Sequence, residues 1–305
     1  MKPFRYVEPA TLAEASALLL QHAGQASLLA GGTDLLVEIK EQLRSPEIVI
    51  NIKKLDELRG LEFDPVQGLF IGAMATARSL ELNALVQQHY PGLAQAAREL
   101  GSIQVRNRAT IVGNVCRASP SADSLPPLLA DGARIHLHGA AGARELALRE
   151  FFTGPGRTAL LAGEIVTGIH LPAPQPGSGK AYIKHGRRKA MELATVGVAV
   201  SLQLQQGVLH EIAIVLGAVA PTAVHAPRTE ALLRGRAPTP SLLAEAGLLA
   251  MQECTPISNV RASADYRRDM VGVLVQRALV QALAHAGHAP AVTPSANQNM
   301  QEGSR

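Results

Sequence analysis

The chain has 305 residues, 47% of them apolar and 18% charged, which describes a packed globular protein of about two or three domains and excludes a disordered or fibrous one. A net charge of +4 with no run of Lys or Arg, 3% aromatics and no Trp leaves an aliphatic core and excludes a stacking or phosphate-tracking nucleic-acid surface. Two cysteines, Cys116 and Cys254, cannot by themselves ligate an iron–sulfur cluster or a structural zinc, and they give no disulfide framework.

The N-terminal stretch Met1–Tyr6 lacks the apolar segment of a signal peptide, and no apolar run approaches a membrane span. We therefore expect a cytoplasmic protein with no membrane span.

In chain order, Phe4–Val7 reads as a first strand. Thr11 and Glu14 form a capping box that starts a helix from Leu12 to about His22, ended near Gly24. Ser27–Ala30 is a short buried strand, Leu35 opens a helix to about Gln42, and Ile48–Ile50 is another buried strand. This alternation is a small α/β unit. From Leu55 the pattern changes. Gly68–Gly72 is a strand, Leu80–Gln88 and Gly92–Leu100 are helical, and Ile103–Cys116 fits neither period and reads as an extended, partly buried loop. Leu125–Ala130 is a short helix with Pro126 in its first turn. Strands follow at Arg134–His138, Glu145–Leu148 and Ile165–Leu171.

Pro172–Gly179 is the clearest linker. Beyond it, Ala181–His185 and Val196–Gln205 are strands, and Gln206-Gly207 turns the latter into Val208–Leu216 as a hairpin. Helices are expected at Arg228–Leu233, Ser241–Cys254 and Ala264–Ala284. The polar tail from Gly287 reads as disordered. The implied division is 1–54, 55–176 and 177–286, with 287–305 as the tail.

Two stretches concentrate small residues beside apolar ones. In Leu29-Ala30-Gly31-Gly32-Thr33-Asp34-Leu35, adjacent glycines can admit a ligand to the main chain, and a turn feeding a helix leaves N–H groups suited to phosphate. The simpler alternative is an N-cap turn, with Asp34 or Thr33 capping the helix. The second stretch is Thr110-Ile111-Val112-Gly113-Asn114. Held together, the two could grip a dinucleotide pyrophosphate without Lys or Arg. Neither matches GxGxxG or GxxxxGK[ST], so Rossmann and P-loop assignments fail.

The motif AGGTDL, followed about eighty residues later by RNRATIVGNVCRASPSADSLPPLLA, resembles the FAD-binding medium subunit of molybdenum hydroxylases, the family of xanthine dehydrogenase, CO dehydrogenase and aldehyde oxidase. The likeness runs from residue 1 to about 286 and includes YIKHGRRKAMELATVGVAV and YRRDMVGVLVQRAL. It implies an α+β fold: a two-part, PCMH-type FAD-binding domain (a small α/β unit plus a larger α+β unit), followed by a C-terminal domain of antiparallel sheet and helices.

By resemblance, Ala30–Asp34 and Thr110–Asn114 wrap the FAD pyrophosphate, Asp123 bonds the cofactor, and Leu29, Leu35, Ile165, Val166 and Lys184 belong to the same cofactor site. Family members usually have two glycines in the second stretch, and Val112 replaces the first. Asp123 could instead cap Leu125–Ala130, and Lys184 could be an exposed strand lysine. Arg187, Arg188 and Lys189 form either a solvated turn or the family's mobile loop beside the flavin ring. Cys116 reads as a small buried apolar residue. The histidines show no metal-ligand spacing, and His136 and His138 share a strand face with no third partner, so no metal site is expected.

The resemblance further implies an oxidoreductase subunit that carries FAD alone, no residue of the chain being expected to act catalytically. It would move electrons from [2Fe–2S] clusters to NAD, a quinone or oxygen. Expected partners are a large molybdopterin-binding subunit and a small [2Fe–2S] subunit, assembled as a dimer of heterotrimers. The alternative is a free-standing FAD-dependent oxidoreductase of the same superfamily, which would need a substrate pocket and an acid facing the flavin.

Overall fold

A computed structural model describes residues 2–288. The sequence-expected tail beyond His288 lies outside the described residues. The first unit runs β1 (Arg5–Val7), α1 (Leu12–Gln21), β2 (Ala26–Leu29), α2 (Leu35–Lys40) and β3 (Ile48–Asn51). Its sheet is parallel, in the order β1-β3-β2. All of β3 is buried, as a central parallel strand must be when both faces are covered. Thr11 caps α1 by accepting from the Glu14 N–H. The Glu14 carboxylate reaches back to the Ala10 N–H at 2.7 Å, one residue earlier than a capping box requires.

The second unit begins with the hairpin β4 (Leu61–Asp64) and β5 (Gly68–Gly72). Asp64 closes it by accepting from the Val66 and Gln67 N–H groups at 2.7 Å each. The expected Leu80–Gln88 helix is two, α3 (Ala77–Leu82) and α4 (Ala84–His89), because the Asn83 side chain accepts from Leu85 and Val86 and starts a new helix. Next come α5 (Pro91–Glu99), α6 (Ile103–Arg106), α7 (Ile111–Arg117) and α8 (Leu125–Ala130).

Residues 103–116 are therefore not an extended loop. Ser102 and Thr110 each accept an N–H three residues on and start a helix, of four and seven residues respectively. Both are too short to show a helical period.

The unit closes with β6 (Arg134–Gly139), β7 (Gly142–Ala147), α9 (Leu148–Phe151), the small pair β8 (Phe152–Gly154) and β9 (Arg157–Thr158), and β10 (Ile165–Leu171). Leu148, expected at the end of a strand, opens α9 instead, its N–H bonded to the Ala133 carbonyl. The five-stranded antiparallel sheet has the order β4-β5-β10-β6-β7.

The last unit holds β11 (Ser178–His185), β12 (Val196–Gln205), β13 (Val208–Gly217) and β14 (Val224–His225), antiparallel in that order. Gln206 and Gly207 both take positive φ, at 51° and 79°, the mirror-image turn that matches the twist of a hairpin. Three helices follow: α10 (Pro227–Leu233), α11 (Pro240–Ala250) and α12 (Ala264–His285). Ser178 and Gly179, expected in the linker, belong to β11, and α11 stops short of Cys254.

One aliphatic core joins the first two units, with Leu12 and Ile50 in the same cluster as Ile71, Leu80 and Ile169, and it reaches Tyr182 and Val215 of the last sheet. A separate core lies between that sheet and α10–α12. No helix among the described residues is long and apolar enough to cross a membrane.

Candidate functional site

A cleft of about 640 Å³ opens where the parallel sheet, the antiparallel sheet and the last unit meet. Its first wall is the turn from β2 into α2. Gly32 sits at φ +78°, a conformation costly to any other residue, and turns the chain sharply after the strand. The N–H groups of Gly31, Gly32, Thr33 and Asp34 have no hydrogen-bond acceptor among the described residues. Asp34 stands at the N-cap position but is itself helical and makes no cap bond, so the capping alternative fails. Partial burial raises its carboxyl above the usual range, with Arg117 acting against the rise.

The second wall is the first turn of α7. Thr110 caps it, its hydroxyl accepting from the Gly113 N–H at 3.0 Å. The stretch is thus a helix start and not a loop. Val112 lies inside that turn, in helical backbone that does not require a glycine. Asn114 accepts from the Ser124 hydroxyl at 2.6 Å, joining α7 to the start of α8. Gly31 lies directly against the main chain of Arg108 and Ala109, so the two walls meet backbone to backbone.

Asp123 closes one side of the cleft, and its side chain is 7% exposed. One carboxylate oxygen accepts from the Tyr182 hydroxyl at 2.8 Å, the other from Lys184 Nζ at 2.8 Å. Burial pushes its carboxyl up to about 6, against the lowering by Lys184 and the Tyr182 hydrogen bond. Burial, followed by the Asp123 charge, raises the Tyr182 phenol well above its ordinary value. The cap position of α8 belongs to Ser124, without a side-chain bond, so Asp123 is no helix cap. The Lys184 side chain is 6% exposed and also donates to the Glu99 carbonyl at 3.1 Å, which rules out an exposed strand lysine.

Of the residues expected around a cofactor, all line the cleft except Leu29, Ile111 and Lys184. Leu29 and Ile111 point into the core, and Lys184 stands behind Asp123. Several lining residues carried no recognisable sequence signal. Glu38 holds Arg117 at 2.9 Å and Arg44 at 3.3 Å at one end. Glu164, on another wall, is gripped by Arg144 through two bonds of 2.6 and 2.7 Å and by the Leu161 N–H, which together hold its carboxyl below the usual range.

Met191, Glu192 and Leu193 bring the last unit onto the cleft. In the basic segment, Arg187 and Arg188 both pair with Glu192, at 3.3 and 3.5 Å. The Cys116 thiol lines the cleft, and burial pushes it up to about 12, so it stays protonated. His136 packs edge-on against His170 and Phe70, and no group of three His, Cys, Asp or Glu among the described residues could hold a metal ion.

Residues 2–174 match the family model described as the FAD binding domain in molybdopterin dehydrogenase, and residues 181–282 match the CO dehydrogenase flavoprotein C-terminal domain. The chain is 34% identical over 284 residues to the xanthine dehydrogenase FAD-binding subunit of Escherichia coli O157:H7, covering 92% of this chain and 97% of that one. It is 37% identical over 276 residues to the carbon monoxide dehydrogenase medium chain of Hydrogenophaga pseudoflava, covering 90% and 96%. A solved structure of carbon monoxide dehydrogenase from Hydrogenophaga pseudoflava superposes with a TM-score of 0.89 at 38% identity, covering 93% of this chain and 99% of that one.

Proposed function

The chain belongs to the family of FAD-binding subunits of molybdopterin dehydrogenases, and on that premise we propose that it carries FAD in the cleft as the electron-transferring flavoprotein subunit of a molybdenum hydroxylase. The observation that carries the reading is the row of unpartnered main-chain N–H groups from Gly31 to Asp34, facing the first turn of α7 across one cleft. Neutral N–H donors at a strand-to-helix turn suit the charge of a pyrophosphate. Thr110, Val112, Gly113 and Asn114 complete that grip. Leu100, Val105, Ile165 and Val166 offer apolar contact for a flat ring, and Asp123 offers a carboxyl for hydrogen bonding. When bound, FAD supplies the exchange of electrons between a donor and an external acceptor. The chain's own residues hold the cofactor, orient it and shield it.

The proposed donor is a small subunit with [2Fe–2S] clusters, fed by a large molybdopterin-binding subunit. NAD, a quinone or oxygen is the acceptor. We assign residues 1–54 and 55–176 to the two parts of the FAD-binding domain and 177–286 to the C-terminal domain. The assembly is a cytoplasmic dimer of heterotrimers.

Purified as the full chain, the protein should show a flavin spectrum at about one FAD per chain and oxidise no purine, aldehyde or N-heterocycle. Co-expressed with its large and small partners, it should co-purify with both. Absence of flavin would overturn the FAD assignment. Turnover by the isolated chain would favour a free-standing flavoenzyme.

A further inference from the structure

Asp123, Tyr182 and Lys184 separate two cavities. Asp123 faces the large cleft, whereas Tyr182 and Lys184 line a second cavity of about 470 Å³ between α5, β11 and α12. The wall between them is one hydrogen-bonded layer thick: Lys184 Nζ lies 2.8 Å from one Asp123 oxygen, and the Tyr182 hydroxyl 2.8 Å from the other. Polar side chains reach the second cavity from three elements. Gln95 and Glu99 come from α5, Lys180 from β11, and Gln281 and His285 from α12. Lys180 is committed elsewhere, 2.6 Å from Asp131 at the end of α8. Lys184 is thus the one cation lining this cavity, among the described residues, that also touches a carboxylate of the cleft.

Full reduction of a bound flavin adds protons as well as electrons, and of the carboxylates that line the cleft, among the described residues, Asp123 is the one bonded to side chains of the second cavity. We propose that the second cavity is the proton inlet of the cofactor site, with Lys184 and Asp123 as the relay across the wall and Tyr182 as the residue that positions Asp123. This rests on the FAD reading above.

Electrons come from the iron–sulfur partner in the assembly, or from dithionite in a test. Asp123 in its carboxyl form gives its proton to the cofactor and becomes a carboxylate. The Lys184 ammonium then passes a proton to that carboxylate. Water in the second cavity restores the ammonium, so one proton enters for each one delivered, and only O–H and N–H bonds are exchanged. Burial of Asp123, which raises its carboxyl, keeps the carboxyl form accessible near neutral pH.

The test follows flavin bleaching by dithionite in the full FAD-loaded chain, by stopped flow, in H₂O and D₂O. Lys184→Ala should retain FAD and be reduced about a hundredfold more slowly, the size of a lost proton-transfer group. Methylammonium should restore the rate saturably, and Lys184→Arg should recover part of it. Gln95→Trp fills the second cavity without touching the relay, and it should slow bleaching while leaving FAD content unchanged. If Lys184→Ala fails to fold or to hold FAD, Gln95→Trp alone decides. Unchanged rates at full occupancy in either variant, or slowing of Lys184→Ala without amine rescue, overturns the inlet. A wild-type chain that holds no FAD overturns the function reading and the inlet together.

Discussion

Gly31 and Ala109 meet main chain to main chain: a Cβ on Gly31 would stand 2.9 Å from the Ala109 Cα, closer than real Cβ contacts come. The neighbours there are backbone atoms, which cannot swing aside. Gly31→Ala should therefore spread the two walls, cost about 1–3 kcal/mol by overpacking, and lower the ratio of flavin to protein absorbance. An unchanged Tm at full FAD content would contradict the contact.

Gly32 and Gly24 separate strain from fit. Both have positive φ, +78° and +81°, but a Cβ on Gly32 meets the Leu29 side chain at 2.9 Å, and one on Gly24 meets nothing within 4 Å. Gly24→Ala should cost only the left-handed strain of about 1–2 kcal/mol and leave FAD retention intact. Gly32→Val should lose FAD as well as stability. Thermal melts and flavin spectra of the two variants check both outcomes.

The buried pair Lys180–Asp131 joins β11 to the end of α8, with side chains only 7% and 3% exposed. Lys180 also stands 4.7 Å from the centre of the Tyr90 ring. Lys180→Met should cost about 3–5 kcal/mol, because it strands a carboxylate in the interior. Adding Asp131→Leu should recover most of that loss. A double-mutant cycle by urea unfolding measures it, and additive losses would count against the pairing.

Acid should loosen the Arg144–Glu164 wall. Glu164 has a folded pKa below its unfolded 4.5, so its contribution is present above pH 4.5 and disappears as pH falls through the lower value. Asp123 has the opposite sign. Its folded value of about 6 exceeds the unfolded 3.8, so the native state binds the extra proton between those pH values, and stability falls as pH rises through that window. Melting from pH 3 to 7 should show Asp123→Asn flattening the upper slope and Arg144→Met the lower one. Parallel curves for all three proteins would contradict both assignments.

Arg267 is 2% exposed and has no carboxylate partner among the described residues. It donates to the Thr195 and Ala218 carbonyls and to Asn259 Oδ1. Arg267→Met should leave two carbonyls unsatisfied and cost upwards of about 3 kcal/mol, read by urea unfolding. A loss below about 1 kcal/mol would mean that water replaces the guanidinium.

The parts of this fold that follow local rules were legible in the chain. Thr11 starts α1, Gln206-Gly207 makes a hairpin turn, and Pro126 sits in the first turn of α8, each through its nearest neighbours alone. The parts that depend on distant contacts were not. Neither α6 nor α7 is long enough to declare a period, although the caps Ser102 and Thr110 were in plain view. The strand β4 was missed even though Leu61 and Phe63 alternate with Glu62 and Asp64 as a half-buried strand should. In the cleft, both glycine-bearing stretches were found by motif. Glu38, Glu164 and Met191–Leu193 reach it from separate parts of the fold, and no spacing in one dimension encodes that convergence.

The clamp on Asp123 has a consequence for how such chains can be recombined. Its two donors, Tyr182 and Lys184, lie beyond the linker and within the segment matched by the second family model, whereas Asp123 lies within the first. The segments are therefore not interchangeable cassettes. A chimera spliced at the linker must inherit carboxylate, phenol and amine as one set, or it leaves a charge stranded at the seam.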